Sequence, residues 1–261
     1  MPRAAAVDRH GNIYVSTEKD SRIHKYDPAG KEIASWDVRD TAGNPYADAP
    51  PLVIQGDRLF ALESVSAVYH PTSDLISYTL DGQLVGRVHA CSCHFARGLA
   101  ASRDGNFWLA DTGHNRVSKV SPSGTLLQTL GDKGNAPGQF DEPASIWEAP
   151  DGTLFVADIG NERTQSFSPD LKPLAQWPIG RSIARDGNRL TVDQAGNVVV
   201  TQVEDRAVVM YDKNGKELRR WVYRKGGEPL VPSGITALGG AKFLVLVPQS
   251  DVGAVFTALD N

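Results

Sequence analysis

The sequence predicts an all-β fold in which short antiparallel sheets repeat around a common axis. Three observations support this: a regular series of turn glycines, alternating or apolar strands beside each turn, and 25 glycines and 16 prolines in 261 residues. The turn glycines are Gly11, Gly56, Gly105, Gly152, Gly196 and Gly240. A β-rich unit repeated every 44 to 49 residues is typical of β-propellers. We therefore predict a six-bladed β-propeller of four-stranded antiparallel blades.

The third repeat shows how each unit is built. A short apolar strand ends at the turn Asp104-Gly105-Asn106, whose residues tolerate the backbone conformation of a hairpin turn. The strand Phe107-Trp108-Leu109-Ala110 follows, and a third strand opens on Arg116-Val117. After a second turn the fourth strand ends near Leu130. A single four-stranded sheet cannot bury both faces, so neighbouring units must pack on one another.

The repeats extend over the whole chain, so we expect a single domain, residues 1–261, and no second domain. The expected blades cover residues 4–38, 50–88, 97–131, 143–179, 188–223 and 232–261. Only three strands are evident after Pro232, so we expect Ala4–Val7 or Ala254–Leu259 to complete the terminal blade by pairing the two chain ends.

An Asp and a downstream Arg recur at equivalent places in the repeats. Asp111 and Arg116 lie in the third unit, and Asp158 and Arg163 lie in the fourth. On neighbouring strands, a carboxylate and a guanidinium can form an ion pair that closes the loop between them. We expect these residues to stabilise the blades.

The repeats resemble the NHL-repeat branch of the six-bladed propellers. The resemblance rests on Leu109-Ala110-Asp111-Thr112-Gly113-His114-Asn115-Arg116-Val117, on the matching stretch from Val156 to Arg163, and on the connector Gly138-Gln139-Phe140-Asp141-Glu142-Pro143. The second unit carries an insertion near 64–73, and the sixth lacks the Asp and Arg. The resemblance implies a fold more than a function, because propellers host many unrelated activities.

In the stretch from Gly98-Leu99 through Asp111, and in Pro143-Ala144-Ser145-Ile146, the chain also resembles the peptidyl-hydroxyglycine amidating lyases. This resemblance allows the metal ligands of those enzymes to be compared with the residues present here. Those lyases hold a catalytic zinc through histidines placed just before the first strand of alternate blades. The matching positions here are Arg97, Ala144 and Ser233, and none supplies an imidazole. We therefore do not expect a zinc lyase of that design, whereas Arg97 offers a fixed positive charge for a carboxylate or phosphate.

The favoured function is a non-catalytic ligand- or protein-binding module that uses the mouth of the central channel. Binding residues are expected in the loops that converge there. The ligand-binding candidates are Arg97, His94, Glu142, Arg185 and Trp147. Two alternatives stay open: a metal-dependent hydrolase or lyase of the lactonase or amidating-lyase type, and a scaffold or sensor domain of a larger membrane-associated protein.

The metal hypothesis depends on a local concentration of thiol and imidazole groups. Its candidate ligands are Cys91, Cys93, His94 and His114. Zinc and copper favour such ligands, while the acidic residues near Glu142 suit calcium. The competing interpretation makes the cysteines small buried residues, and a bridge between them is expected to be strained because a Cys-x-Cys ring is tight. No cofactor is expected under the favoured function; zinc or calcium belongs to the alternative.

Composition limits the partners. The net charge of −4 and the pI near 5.9 argue against nucleic-acid binding, because that binding depends on clustered basic residues. No apolar run reaches the roughly 20 residues of a membrane span. Two cysteines do not decide the compartment, because their small number and the repeat style fit either a bacterial cytoplasm or an extracytoplasmic space. Of the two, we favour a soluble, bacterial extracytoplasmic protein.

Overall fold

The structure is a computed structural model. It describes residues 2–18, 20–38, 49–65, 72–180, 189–225, 227–239, 242–248 and 254–259. Within these ranges, no helix is long and apolar enough to cross a membrane. The regular structure is almost entirely antiparallel strand.

Five sheets each contain four strands in chain order. The first two sheets consist of β1 Pro2–Val7, β2 Ile13–Thr17, β3 Arg22–Tyr26 and β4 Glu32–Asp37, then β5 Leu52–Gln55, β6 Arg58–Val65, β7 Thr72–Thr79 and β8 Leu84–His89. The third and fourth consist of β9 Gly98–Ala101, β10 Phe107–Asp111, β11 Arg116–Val120 and β12 Leu126–Leu130, then β13 Pro143–Glu148, β14 Leu154–Asp158, β15 Arg163–Phe167 and β16 Pro173–Pro178. The fifth consists of β17 Leu190–Val192, β18 Val198–Gln202, β19 Ala207–Tyr211 and β20 Glu217–Trp221.

Two smaller sheets follow. A short ribbon pairs β21 Arg224–Lys225 with β22 Glu228–Pro229. A three-stranded sheet then contains β23 Gly234–Gly239, β24 Lys242–Pro248 and β25 Ala254–Leu259. The prediction of four-stranded antiparallel blades is confirmed for five sheets, but the last has only three strands among the described residues.

The sheets are arranged around an axis lined by their first strands. Each first strand contacts the first strand of the next sheet, in the order β1, β5, β9, β13, β17 and β23, and β23 contacts β1. The molecule is therefore a closed β-propeller. The channel and its mouth are formed by the first strands and by the loops that lead into them.

Ala254–Leu259 forms the last strand of the terminal sheet, as expected, but it does not pair with β1 among the described residues. In the described part of the chain, β1 pairs with β2, and β25 pairs with β24. The first and last sheets meet instead at Ser233, which directly precedes β23. Its Oγ donates a hydrogen bond of 2.8 Å to the carbonyl oxygen of Pro2 in β1. The last sheet is therefore joined to the first by contact between their inner edges rather than by a shared sheet.

Apolar side chains fill the spaces between adjacent sheets. Phe155 and Trp177 of the fourth sheet pack with Val200, Val209 and Tyr211 of the fifth. The Trp177 and Tyr211 rings lie 6.0 Å apart between centroids. Burial of each such side chain contributes about 1.5–3 kcal/mol, so the stacking of blades supplies the core that one sheet lacks.

The predicted Asp–Arg pairs form in both repeats. Asp111 faces Arg116 across β10 and β11, with 2.9 Å between Oδ2 and Nε. Asp158 faces Arg163 across β14 and β15, also at 2.9 Å. Both carboxylates are fully buried.

The same carboxylates also hold the connector from the preceding blade. Oδ1 of Asp111 accepts a hydrogen bond of 2.7 Å from the main-chain N–H of His94, and Oδ1 of Asp158 accepts one of 2.7 Å from Asp141. Gly113 permits this docking, because a Cβ there would lie 2.6 Å from the His94 ring. The Asp-x-Gly-x-x-Arg pattern thus closes one loop and positions another.

Candidate functional site

A pocket of about 360 Å³ opens at the mouth of the channel. Its walls come from the connector before β9, the loop between β10 and β11, and the connector before β13. The lining residues are His94, Phe95, Arg97, Thr112, Gly113, Asn115, Lys133, Asp141 and Glu142. Three of the five predicted ligand-binding residues, His94, Arg97 and Glu142, therefore share one pocket.

The two cysteines stand beside this pocket as a disulfide, not as metal ligands. Cys91 and Cys93 are bonded to each other, so neither offers a thiolate. The two Cα atoms lie 5.2 Å apart, within the range that a disulfide can span. Cys91 has a left-handed backbone with φ of 46°, and this turn brings the two residues into position. The prediction of Cys91 and Cys93 as ligands is thus wrong.

The two histidines of the metal hypothesis do lie together. The ring centroids of His94 and His114 are 5.5 Å apart. Nδ1 of His114 is 3.0 Å from the Asp111 carboxylate, which already binds Arg116. Among the described residues, no group of three or more His, Cys, Asp or Glu side chains is arranged to hold a metal ion. The zinc hypothesis is therefore left without sulfur ligands, because both cysteines are in the disulfide. The His114 ring is already in hydrogen-bond contact with the carboxylate of the Asp111–Arg116 ion pair.

Arg97 supplies positive charge at the edge between the pocket and the channel. Its main-chain N–H donates to the carbonyl oxygen of Ala110 at 3.1 Å, which fixes the backbone directly before β9. Its guanidinium carbon lies 4.8 Å from the centroid of the Phe95 ring. Stacking of this kind restricts the motion of a flexible cation.

Glu142 forms the opposite wall in a constrained conformation. Its backbone is left-handed, with φ of 52°, as is that of Phe95 in the preceding connector, with φ of 54°. The main-chain N–H of Glu142 donates to Oδ1 of Asn115 at 2.9 Å. Beside it, Lys133 and Asp141 approach to 3.6 Å. The pocket therefore presents fixed groups of both charges.

The remaining two predicted ligand-binding residues are not in this pocket. Trp147 lies in β13 and lines two cavities of the channel instead. Arg185 lies outside the described residues. Five residues of extended strand separate Trp147 from Glu142 and place it along the channel wall.

Sequence reasoning missed two arginines on the axis, Arg3 and Arg189. Arg189 directly precedes β17, and Arg3 lies near the start of β1. Both line a small cavity of about 50 Å³ together with Gly98, Ser145 and Trp147. Their position immediately before or at the start of a first strand, as for Arg97, is the signal that identifies them.

Burial and the other two guanidinium groups act on Arg189. Its burial, followed by the charges of Arg3 and Arg97, lowers the pKa of Arg189 to about 10. The side chain therefore stays protonated at neutral pH. One nitrogen donates to main-chain carbonyl oxygens of two other blades, Arg97 at 2.9 Å and Ala144 at 3.3 Å.

Fold and site together define a β-propeller with a charged pocket at its channel mouth. The chain is similar in sequence to NHL-repeat proteins and to amidating monooxygenases. No family model matches it.

Three curated relatives illustrate the similarity. The human E3 ubiquitin-protein ligase TRIM32 is 30% identical over 46% of this chain and 20% of its own length. Human NHL repeat-containing protein 3 is 29% identical over 44% of this chain and 38% of its own length. Peptidyl-glycine alpha-amidating monooxygenase A of Xenopus laevis is 26% identical over 70% of this chain and 16% of its own length. The chain thus spans less than two-fifths of each of these proteins.

Solved structures share the architecture at low identity. A calcium-binding protein, regucalcin, from Agrobacterium tumefaciens gives a TM-score of 0.67 at 16% identity, with 99% of this chain and 89% of that chain covered. A streptogramin B lyase structure gives 0.64 at 13% identity, with 100% and 83% covered. At these identities the likeness establishes the propeller fold alone.

Proposed function

We propose that the chain is a six-bladed propeller of the NHL type, one domain over residues 1–261, that binds a ligand or protein segment at its channel mouth without catalysis. The three-stranded sheet β23–β25 serves as the sixth blade, because β23 completes the ring of first strands. We keep the blade boundaries proposed from the repeats, which run from residue 4 to residue 261.

The observation that carries the proposal is the convergence of His94, Arg97 and Glu142 on one pocket of about 360 Å³. His94 and Arg97 lie in the connector before β9, whereas Glu142 lies in the connector before the next blade. A pocket of this volume, with few fixed polar groups, suits a small ligand or the end of a peptide. Arg97 can contact a negatively charged group of such a ligand, while Glu142 can accept a hydrogen bond from its polar groups.

The hydrolase or lyase alternative needs donors that the described residues do not bring together. The positions matching the lyase histidines hold Arg97, the fully buried Ala144, and Ser233, whose hydroxyl is engaged with Pro2. These observations support binding over metal chemistry. Structural relatives include both lyases and a calcium-binding protein, so their names favour neither function.

A thermal-shift screen with matched variants tests the proposal. The probes are sodium acetate, sodium phosphate, spermidine, glucose and trialanine, each measured on the wild type, Arg97→Ala and Glu142→Ala. Arg58→Ala and Asp170→Ala are the controls, since both positions are exposed and carry the same charges as the tested residues. We expect at least one probe to stabilise the wild type and both controls, and to lose its effect in a pocket variant.

Two results would overturn the proposal. The first is a set of probe effects that is the same in all five proteins. The second is stoichiometric zinc or calcium in the purified protein together with turnover of a bound probe, which would establish the enzyme alternative.

A further inference from the structure

A second cavity, of about 250 Å³, lies at the end of the channel opposite to the mouth pocket. It is lined by the last residues of β1, β9 and β13, whereas the mouth pocket is lined by connectors that lead into first strands. We call it the distal cavity. Its residues take no part in the binding function proposed for the mouth.

Small side chains on the first strands create the space in the distal cavity. Five of its lining residues are alanines, which come from β1, β9 and β23. On β13 the lining residue is instead Trp147, whose side chain packs against the apolar core between the fourth and fifth sheets and stays partly exposed. The distal cavity therefore combines an aromatic ring, held in place by the core, with walls that leave room for another ring.

Thr236 places a hydroxyl in this largely apolar lining. The residue is only 4% exposed, and it lines the distal cavity. Its hydroxyl makes no hydrogen bond within the described part of the chain, and unlike that of Thr191 in β17 it is not fully enclosed. A buried hydroxyl without a partner is costly, so Thr236 is suited to a hydrogen bond with a ligand in the cavity.

The polarity of the distal cavity favours an uncharged ligand. Glu148 is the only charged residue among those that line it, and its carboxylate already accepts hydrogen bonds from Ser102, Trp108 and Arg103. An anion would be repelled by this carboxylate, and a cation would compete with Arg103 for it. The first strands pair on one side only, so main-chain polar groups on their free edges also face the channel.

We propose that the distal cavity binds a small, uncharged aromatic molecule that carries one hydrogen-bonding group, with its ring against Trp147 and its polar group at the hydroxyl of Thr236. An apolar cavity of about 150 Å³ can hold benzene, so about 250 Å³ accommodates a substituted ring. This site goes beyond the function proposed for the mouth pocket and does not depend on it.

Fluorine NMR titration with 4-fluorophenol tests the hydrogen bond to Thr236. Fluorobenzene, which lacks the hydroxyl, and 4-fluorobenzoate, which is an anion, are the ligand controls. We expect 4-fluorophenol to bind, and 4-fluorobenzoate to bind more weakly. Thr236→Val should weaken 4-fluorophenol by about 2- to 10-fold and leave fluorobenzene unchanged. Thr191→Val makes the same substitution in β17, which does not line the distal cavity, and should change neither affinity.

A cavity-filling variant tests the location of the site. Ala237→Leu adds three carbon atoms at a partly exposed position of the lining and should abolish binding of 4-fluorophenol and of fluorobenzene. Ala29→Leu, in an exposed turn, is its control and should bind as the wild type does.

Tryptophan fluorescence covers the case in which Ala237→Leu does not fold. Addition of 4-fluorophenol should change the emission of the wild type, and most of that change should be lost in Trp147→Phe. The inference is overturned if 4-fluorophenol does not bind, if Thr236→Val fails to distinguish it from fluorobenzene, or if the emission change persists in Trp147→Phe. Loss of binding in Arg97→Ala, with Thr236→Val unaffected, would also overturn it by assigning the probe to the mouth pocket.

Discussion

Nε of Arg163 lies 2.9 Å from Oδ2 of Asp158, and both residues are buried between β14 and β15 and the connector that precedes their blade. The carboxylate also accepts hydrogen bonds from the main-chain N–H of Asp141 at 2.7 Å and from Nδ2 of Asn161 at 2.9 Å. The pair therefore links strand, loop and connector at one point.

Removal of this carboxylate should strongly destabilise the fourth blade. We expect Asp158→Ala to lower the free energy of unfolding by about 3–5 kcal/mol, because it leaves Arg163 buried without its partner. Urea denaturation followed by circular dichroism measures the change. Asp170→Ala, at an exposed position, is the control and should change stability by less than about 0.5 kcal/mol. Equal stability of the two variants would show that the pair does not stabilise the blade.

Glu148 should make stability depend on pH. Its Oε2 accepts hydrogen bonds of 2.7 Å from Ser102 Oγ and from Trp108 Nε1, and Oε1 accepts one of 2.9 Å from Arg103, which join the third and fourth blades. Burial raises the pKa of Glu148, but these hydrogen bonds outweigh it and leave the pKa below its usual value of 4.5. The stabilisation is therefore present above about pH 4.5 and is lost as the pH falls through the folded-state pKa.

The variant Glu148→Gln isolates the contribution of the Glu148 carboxylate to the pH dependence of stability. It should cost about 2 kcal/mol at pH 7, and the difference from the wild type should shrink as the pH approaches 3. Unfolding free energies measured between pH 7 and pH 3 give both values. Glu228→Gln, in the exposed ribbon, should track the wild type throughout. A constant difference for Glu148→Gln over the whole pH range would contradict the assignment.

Reduction of the Cys91–Cys93 disulfide should lower stability modestly. The bridge closes a loop of only three residues, for which chain entropy predicts about 1.5 kcal/mol. Thermal unfolding with and without a phosphine reductant measures the effect. The denatured, unreduced protein should show no reactive thiol and should be two hydrogen atoms lighter than the reduced chain. Two reactive thiols in that sample would disprove the bridge.

The contact between the first and last sheets should stabilise the protein through the hydroxyl of Ser233. Because its hydroxyl donates to the carbonyl oxygen of Pro2, Ser233→Ala should lower the free energy of unfolding by about 1 kcal/mol. Deletion of residues 1–7 should cost far more, since it removes the whole of β1 and the buried side chains of Ala5 and Ala6. Ser123→Ala, in an exposed turn, is the control for the point substitution. Thermal unfolding that is unchanged by the deletion would show that the ring is closed elsewhere.

The candidate site divides between residues that local sequence identifies and residues that it does not. His94, Arg97 and Glu142 follow from the repeat register, because they lie in connectors that lead into first strands, where propeller loops converge. Trp147 lies within β13 and lines the channel instead of the mouth pocket, and the pairing of Cys91 with Cys93 depends on a left-handed backbone at Cys91 that composition does not reveal.

The amino-acid sequence by itself determined the four-stranded repeat and the Asp–Arg pairs, because turn glycines and side chains on adjacent strands act over a few residues. Only the tertiary structure brought Arg189 within 2.9 Å of the carbonyl oxygen of Arg97, 92 residues away, and set Arg3 at the same axis. Closure of the ring, driven by apolar packing between sheets, decides which loop ends meet there. The position of each arginine beside a first strand marks it as a candidate, but no local pattern tells which of them meet, so their approach at the axis is a property of the assembled propeller.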